Sequence, residues 1–205
     1  LGDVYKRQFI KDEHMDIYMT GINYSNAELE YREMFSLTLE DQSKIAKKLI
    51  NSGMAKGCIF LSTCNRTELW VSGNTPLAID FFINEVSESY EVNLLIKKDI
   101  EKRFVLRQGE EAVDYLLELA CGIHSQIFGE DQILTQLKVA TDNARENGYV
   151  DSILETLFRT AVTAAKKVKT EVVLTNKNRS LPETIISQLE ERYLSLIHIS
   201  EPTRP

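Results

Sequence analysis

Several features that would place a protein in other classes are scarce or missing from this chain of 205 residues. No apolar run approaches the ~20 residues of a membrane span, and the start lacks the basic, apolar and small-residue order of a secretory signal. Cysteine is rare, and its three positions, Cys58, Cys64 and Cys121, have no metal-like pairing. An odd number of such cysteines is typical of free thiols in a reducing compartment. The sequence therefore predicts a cytoplasmic protein without disulfides, a metal site or a membrane segment.

Positive charge is also in short supply. The formal net charge is −7, with 24 Lys and Arg against 31 Asp and Glu, which argues against a protein that holds nucleic acid through overall basicity. One local basic cluster remains, in which Arg159, Lys166 and Lys169 are spaced by seven and three residues on a predicted helix. Contact with nucleic-acid phosphates and an ordinary solvated helix face are both open interpretations of this cluster.

The two ends of the chain differ in character from the rest. Residues 1–8 and 194–205 resemble translated sequencing-adapter ends, so we expect them to be non-native and exclude them from fold reasoning. The native portion is then expected to be residues 9–193 and to stop within its gene.

The hydrophobic pattern of the native portion predicts an α+β fold. With 43% hydrophobic residues the chain can bury a core. Strands are predicted at 16–23, 57–62, 67–71 and 103–106, with helices at 27–35, from Thr38 to about 51, and after Pro76. The order β-α-β-β-α-β indicates a ferredoxin-like antiparallel sheet covered by helices on one face. From residue 109 the pattern becomes helical, with three further helices near 112–120, 132–147 and 154–172.

Polar function is concentrated in the turn between the second and third predicted strands. Cys64 follows a buried strand directly and has polar neighbours on both sides, so it is a candidate nucleophile whose thiolate backbone N–H groups and a guanidinium would favour. The alternative is a small buried apolar residue, as free cysteine usually is. Arg66 is a candidate carboxylate clamp, and a surface salt bridge to Glu68 is an equally open interpretation.

A second polar stretch separates two predicted helices. It contains Ser125, Glu130, Gln132 and Gln136, with Gly129 at the bend. A hydroxyl, a carboxylate and two amides can hold a polar amino acid. Ser and Gly at a helix break are equally explained by helix capping.

Together these stretches resemble the N-terminal catalytic domain of glutamyl-tRNA reductase. The resemblance rests on Ser-Thr-Cys-Asn-Arg-Thr-Glu at 62–68 and Gly-Glu-x-Gln-Ile-Leu-x-Gln at 129–136. It extends to 21–23 and 31–35 near the start and to the basic helix at 164–171. It implies a catalytic domain over 9–175, followed at 176–193 by the start of a connection to an NADPH-binding domain that this sequence lacks.

The resemblance also implies a reaction. Cys64 would attack the ester carbonyl of glutamyl-tRNA, and hydride from NADPH would reduce the resulting thioester to glutamate 1-semialdehyde for tetrapyrrole (porphyrin and haem) biosynthesis. The implied substrate-contacting positions are Thr63, Cys64, Asn65, Arg66, Ser125, Glu130, Asp131, Gln132 and Gln136. Arg159, Lys166 and Lys169 would contact tRNA. A homodimer of the full-length protein and glutamate-1-semialdehyde aminomutase are the further implied partners.

The sequence departs from the family pattern at three points. Tyr115 and Tyr24 stand where members usually have His, and a Tyr with a pKa near 10 is a poor general base at neutral pH. On a continuous helix His124 would lie on the face opposite Tyr115, unless Gly122 bends the chain. No Gly-x-Gly-x-x-Gly fingerprint occurs, so no NADPH site is expected here. A catalytically weakened tRNA-binding or regulatory relative is therefore one alternative function, and a Cys-dependent aminoacyl-ester hydrolase, which would need a general base, is another.

Overall fold

The computed structural model describes residues 17–73, 77–89 and 102–171. The predicted non-native ends, the predicted connection at 176–193 and Pro76 lie outside these residues. In chain order the described elements are β1 (Ile17–Asn23), α1 (Leu29–Met34), α2 (Leu39–Asn51), β2 (Gly57–Ser62), β3 (Arg66–Ser72), α3 (Leu77–Ser89), β4 (Val105–Gln108), α4 (Glu110–Ala120), α5 (Gln132–Glu146) and α6 (Ser152–Glu171). None of the helices in these ranges is long and apolar enough to cross a membrane.

The four strands form one sheet in the order β2-β3-β1-β4, and every neighbouring pair is antiparallel. This is the order of a ferredoxin-like β-α-β-β-α-β unit, so the predicted α+β fold is confirmed. The β2–β3 hairpin pairs Ser62 with Thr67, and residues 63–65 form the tight connection between the two strands at one end of the sheet. The polar turn found in the sequence is therefore held by the sheet.

Helices cover both faces of the sheet, whereas the sequence predicted helices on one face. On one side Phe60 of β2 packs against Phe82 of α3, with ring centroids 6.1 Å apart. On the other, Trp70 of β3 packs against Tyr115 of α4 and Phe158 of α6. All seven residues of β3 are buried, because the C-terminal helices occupy the face that the first prediction left open.

Short-range signals explain several element boundaries. The Thr38 hydroxyl accepts a hydrogen bond from the Asp41 N–H at 3.2 Å, which satisfies a free donor in the first turn of α2 and confirms the predicted helix start. Asp151 does the same at α6, where it accepts from the Leu154 N–H at 3.0 Å. Its second oxygen accepts from the Ser72 hydroxyl at 2.7 Å. The cap of α6 therefore also attaches this helix to β3.

The last strand is displaced by two residues from its predicted position. The sequence placed it at 103–106, and the structure has it at Val105–Gln108, where it pairs with β1. Phe104 lies before the strand, and its ring packs edge-on against Phe35 at 5.3 Å and Phe82 at 6.1 Å. Aromatic packing in the core, rather than strand propensity, accounts for the position of Phe104.

Candidate active site

Cys64 lies exposed in the β2–β3 turn. The Thr63 N–H donates to the Arg66 carbonyl at 2.8 Å, and the Thr63 hydroxyl accepts from the N–H groups of Asn65 and Arg66, both at 3.2 Å. These bonds fix the backbone on each side of the thiol. Cys64 is therefore accessible on a rigid support, as a nucleophile must be, and the alternative of a buried apolar cysteine does not describe it.

The other two cysteines have different surroundings. Cys58 is 0% exposed, and burial, assisted by the negative charge of Asp151, raises its pKa to about 12. Cys121 is partly buried, and burial raises its pKa as well. A raised pKa leaves less thiolate at neutral pH, so neither residue is suited to nucleophilic attack.

Arg32 of α1 binds residues 63–65, which we call the nucleophile turn, from outside the hairpin. Its Nη1 donates to the Cys64 carbonyl at 2.7 Å and to the Asn65 side-chain oxygen at 3.3 Å. The Tyr24 N–H adds a bond to the Asn65 carbonyl at 3.0 Å. Arg32 therefore brings a positive charge to the turn and restrains it. Sequence reasoning did not single out Arg32 as functional, because the contact joins residues 32 positions apart.

Arg66 lies in the interior rather than at the surface. Its side chain is 2% exposed and forms a salt bridge at 3.0 Å with Glu68, which is 1% exposed. The partner named in the sequence-based alternative is thus correct, and its surface location is wrong. Burial is the largest single influence on the pKa of Arg66 and lowers it, but the charge and hydrogen bond of Glu68 together with the neighbouring tyrosines outweigh burial, so the net pKa is raised. The guanidinium is therefore charged and already paired with a carboxylate of the protein.

Tyr115 connects the two ions of the Arg66–Glu68 salt bridge, which we call the buried pair. Its hydroxyl donates to Glu68 Oε1 at 2.6 Å and accepts from Arg66 Nη1 at 2.9 Å. The Trp70 indole N–H donates to the other Glu68 oxygen at 3.2 Å. Burial and the Glu68 carboxylate raise the pKa of Tyr115 far above its ordinary value. The phenol therefore stays protonated at neutral pH and acts as a hydrogen-bonding bridge, not as a general base.

His124 lies beside Tyr115, because the chain bends at Gly122, which is the exception to the expected opposite placement. Helix α4 ends at Ala120, and Gly122 adopts φ +81°, a left-handed conformation that reverses the chain. The His124 ring centroid is 4.8 Å from that of Tyr115, and Nε2 is 2.7 Å from a Glu118 carboxylate oxygen. The His124 carbonyl accepts a hydrogen bond from Arg66 Nη2. The bend at Gly122 thus joins the α4–α5 loop to the buried pair.

Ser125, in the same loop, is buried at 6% exposure. Its hydroxyl has no hydrogen-bond partner within the described residues, although an unsatisfied buried hydroxyl is unfavourable. Its carbonyl accepts from the Tyr24 hydroxyl at 3.0 Å. Ser125 therefore lies on the same side of the Cys64 turn as Tyr24, and its hydroxyl oxygen is available to a ligand.

Lys169 of α6 holds the end of this loop. Its ammonium donates to the carbonyls of Gly129 at 3.2 Å and Glu130 at 2.7 Å and to the Asp131 carboxylate at 2.9 Å. The side chain is 13% exposed. These three acceptors give the Lys169 ammonium a structural role, and the tRNA contact at Lys169 stays a prediction. Arg159 and Lys166 are exposed and remain predicted RNA contacts.

A groove of about 220 Å³ opens beside the nucleophile turn, between β2, α2 and α5. It brings together three predicted site residues, Thr63, Gln132 and Gln136. Its lining also includes side chains that sequence reasoning missed, namely Leu39, Gln42, Phe60, Leu61, Ser62, Thr135, Val139, Ala140 and Asn143. The remaining predicted residues do not line this groove. Cys64 and Asn65 are in the turn itself, Arg66 is in the buried salt bridge that Tyr115 contacts, and Ser125, Glu130 and Asp131 are in the α4–α5 loop.

Within the described residues we find neither a metal site nor a turn that suits a dinucleotide. They contain no group of three or more His, Cys, Asp or Glu side chains placed to hold a metal ion. At the β4–Gly109–α4 junction a strand runs through a glycine into a helix, as in a diphosphate-binding turn. Its first helical turn carries Glu110 and Glu111, which repel a diphosphate. This junction does not fit NADPH.

Comparisons with known proteins agree with this geometry. The sequence profile of "Glutamyl-tRNAGlu reductase, N-terminal domain" matches residues 20–172. Glutamyl-tRNA reductases of Acetivibrio thermocellus and Alkaliphilus oremlandii are 38% and 35% identical to the chain, in each case over 87% of its length. The chain spans about half of these relatives, 53% and 52% of their respective lengths.

A solved structure, the glutamyl-tRNA reductase from Methanopyrus kandleri, has the same fold, with a TM-score of 0.67 and 25% sequence identity. The match covers 87% of this chain and 40% of that one. With the profile, the relatives and the fold in agreement, the chain belongs to the glutamyl-tRNA reductase N-terminal domain family.

Proposed function

We propose that this chain is the acyl-accepting part of a reductase that converts glutamyl-tRNA to glutamate 1-semialdehyde. The observation that carries the proposal is the exposed thiol of Cys64 on a turn fixed by Thr63 and Arg32. The ester that joins glutamate to tRNA is an activated acyl donor, and cysteine is nucleophilic even with a few per cent of thiolate.

In the proposed step, Cys64 Sγ forms a bond to the ester carbonyl carbon and the carbon–oxygen bond to the ribose breaks. The ribose oxygen takes up the proton that the thiol loses, and tRNA leaves. The product is a glutamyl thioester on Cys64. Tyr115 does not remove the proton, because burial and Glu68 keep its pKa high. The step therefore relies on Cys64 reacting as its thiolate and on the positive charge of Arg32 beside the turn.

We propose that the substrate set predicted from the family resemblance surrounds this thioester. Ser125 offers a buried hydroxyl with no partner among the described residues, which suits a polar group of the glutamyl moiety. Arg66 already binds Glu68, Tyr115 and the His124 carbonyl. These bonds use three of the five N–H donors of the guanidinium, so a substrate carboxylate would share Arg66 with these partners.

NADPH is the proposed cofactor of the complete reaction and would supply a hydride for reduction of the thioester. The sequence lacks the Gly-x-Gly-x-x-Gly fingerprint, so the steps assigned to this chain's residues end at the thioester. A homodimer, glutamate-1-semialdehyde aminomutase as a partner, and a cytoplasmic location complete the proposal.

Acyl transfer provides the direct test. The chain is incubated with tRNA charged with radiolabelled glutamate, and the label retained on protein after denaturation is measured. We expect label on the wild type, loss of label in Cys64→Ser, and wild-type labelling in Cys121→Ser, a matched control at a partly buried thiol. Equal labelling of the wild type and Cys64→Ser would overturn the proposal.

One observation favours a second candidate, a tRNA-binding relative with weakened catalysis: Tyr115 is committed to the buried pair and cannot act as a base. This candidate predicts retention of glutamyl-tRNA on a filter without transfer of label to protein.

A further inference from the structure

The nucleophile turn leaves one of its backbone donors unused. The Thr63 N–H donates to the Arg66 carbonyl at 2.8 Å, and the Asn65 N–H donates to the Thr63 hydroxyl at 3.2 Å. The Cys64 N–H, which lies between them, has no hydrogen-bond partner within the described residues. The turn is held together without this donor, which belongs to the same residue as the exposed thiol. The Cys64 N–H is therefore available to an acceptor that comes to the nucleophile.

Arg32 brings further unused donors to the same residue. Its Nη1 binds the Cys64 carbonyl at 2.7 Å and the Asn65 side-chain oxygen at 3.3 Å. Its Nε is buried without a hydrogen-bond partner, and its Nη2 has no partner among the described residues. Buried donors without a partner are rare in native proteins, and each one calls for an explanation. The protein therefore satisfies the Arg32 guanidinium only in part.

Arg32 also differs from other cations of the site in having no carboxylate partner. Arg66 is paired with Glu68 at 3.0 Å, and Lys169 is paired with Asp131 at 2.9 Å. Arg32 forms no salt bridge within the described residues, and its contacts are with neutral oxygen atoms. A paired carboxylate reduces the attraction of a cation for any further negative charge. The charge of Arg32 is therefore available to negative charge that develops at the nucleophile.

Attack of a thiolate on an ester creates such a charge. When Cys64 Sγ bonds to the carbonyl carbon, an electron pair of the C=O double bond moves to the oxygen, and an oxyanion forms. The pair returns to the C=O bond when the carbon–oxygen bond to the ribose breaks, and the ribose oxygen takes up the proton that the thiol lost. Acyl-transfer enzymes stabilise this oxyanion with backbone N–H groups and side-chain donors.

We propose that the Cys64 N–H and the Arg32 guanidinium form the oxyanion site of the acyl transfer, with Nη2 as the side-chain donor. Arg32 is then a catalytic residue, in addition to its role in holding the turn. This inference rests on the proposed acyl transfer. It assigns to Arg32 a contact that exists only while the oxyanion exists, which separates it from stabilisation of the thiolate.

The test compares two reactions of the same thiol on the full chain. One is the transfer of label from glutamyl-tRNA to Cys64 at saturating donor. The other is alkylation of Cys64 by iodoacetamide, measured by peptide mass spectrometry, which displaces iodide at a saturated carbon and forms no oxyanion. Both reactions need the thiolate, so the ratio of their rates cancels any change in the ionised fraction of Cys64.

Two variants of Arg32 and one control are compared. Arg32→Met removes the charge and the donors, and we expect its ratio of transfer to alkylation to fall by about 10²–10³-fold, the effect of losing one oxyanion donor. Arg32→Lys keeps a charge that can bind the Cys64 carbonyl but lacks the second terminal nitrogen, so its ratio should fall by a smaller factor. Arg103→Met is the matched control, because Arg103 stacks on the neighbouring Tyr31 ring at 4.2 Å and binds Glu28, and it should keep the wild-type ratio.

The possible failures are distinguishable, once thermal melts followed by circular dichroism verify that each variant folds. An unchanged ratio in both Arg32 variants, with the two rates lowered equally, would overturn the oxyanion site and leave Arg32 only its effects on the turn and the thiolate. An unchanged limiting rate of transfer with a raised half-saturating donor concentration would assign Arg32 to substrate binding and also overturn the site. Absence of label on the wild type would overturn the acyl transfer itself, and the oxyanion site with it.

Discussion

Replacing Tyr115 with Phe removes one oxygen atom from the centre of the buried pair and leaves the aromatic ring. The lost hydroxyl donates to Glu68 at 2.6 Å and accepts from Arg66 at 2.9 Å. Both ions are almost fully buried, so no water replaces the missing bonds. The chain offers a matched control in Tyr149→Phe, since the buried Tyr149 hydroxyl accepts a single neutral bond, from Asn143 at 2.9 Å.

The size of the effect follows from these contacts. A hydrogen bond to a charged group contributes roughly 1.5–3 kcal/mol to stability, and a neutral one about 1 kcal/mol. Arg66 and Glu68 keep each other as partners at 3.0 Å after the change, so the two bonds do not add fully. We expect Tyr115→Phe to lower the free energy of unfolding by about 2–4 kcal/mol and Tyr149→Phe by about 1 kcal/mol.

Urea denaturation followed by circular dichroism measures both values, and thermal melts provide an independent check. At this chain length each kcal/mol corresponds to roughly 2–4 °C in melting temperature. Equal losses in the two variants would refute the reasoning, because Tyr115 would then contribute no more than an ordinary buried phenol. A loss in Tyr115→Phe below that in Tyr149→Phe would show that the buried ions are satisfied without it.

Two further predictions concern Lys169 and the buried thiol. Lys169→Met removes an ammonium that binds two carbonyls and the Asp131 carboxylate, so amide hydrogen exchange should become faster across residues 122–131; unchanged exchange there would contradict the structural role. The raised pKa of Cys58, about 12, leaves about one thiol in a thousand ionised at pH 9, so iodoacetamide at that pH should modify Cys64 in the native chain and Cys58 only in denaturant. Modification of both at similar rates, measured by peptide mass spectrometry, would contradict this expectation.

Much of the fold was predictable because it depends on signals a few residues apart. The apolar run at 57–62 has the bounds of β2 as observed, and Thr38 caps α2 through Asp41, three residues on. The polar turn around Cys64 was recognisable as a functional candidate because apolar strands enclose it on both sides. These are local patterns of hydrophobicity and capping, which a sequence displays directly.

The interior of the site was not predictable in the same way. Arg66 binds Tyr115, 49 positions away in the sequence, and the His124 carbonyl, 58 positions away. No periodic pattern in the sequence indicates such partners. The position of His124 depended on whether Gly122 would continue or reverse the helix, and glycine permits both. The sequence places Lys169 in a basic cluster, and only the packing of α6 brings its ammonium to the α4–α5 loop. In each case packing between distant elements decided the role of a charged or aromatic residue.

The Arg66 contacts have a consequence for how this domain can be exchanged between relatives. The sequence changes character at Gly109, which makes that residue an obvious crossover point for recombining homologous genes. A crossover there would inherit Arg66 and Glu68 from one parent, and residue 115 and the loop carrying His124 from the other. A mismatched phenol or loop would remove hydrogen bonds from these buried ions, each worth roughly 1.5–3 kcal/mol. Chimaeras that keep strand β3 and residues 115–124 from the same parent should therefore fold more often than those divided at Gly109.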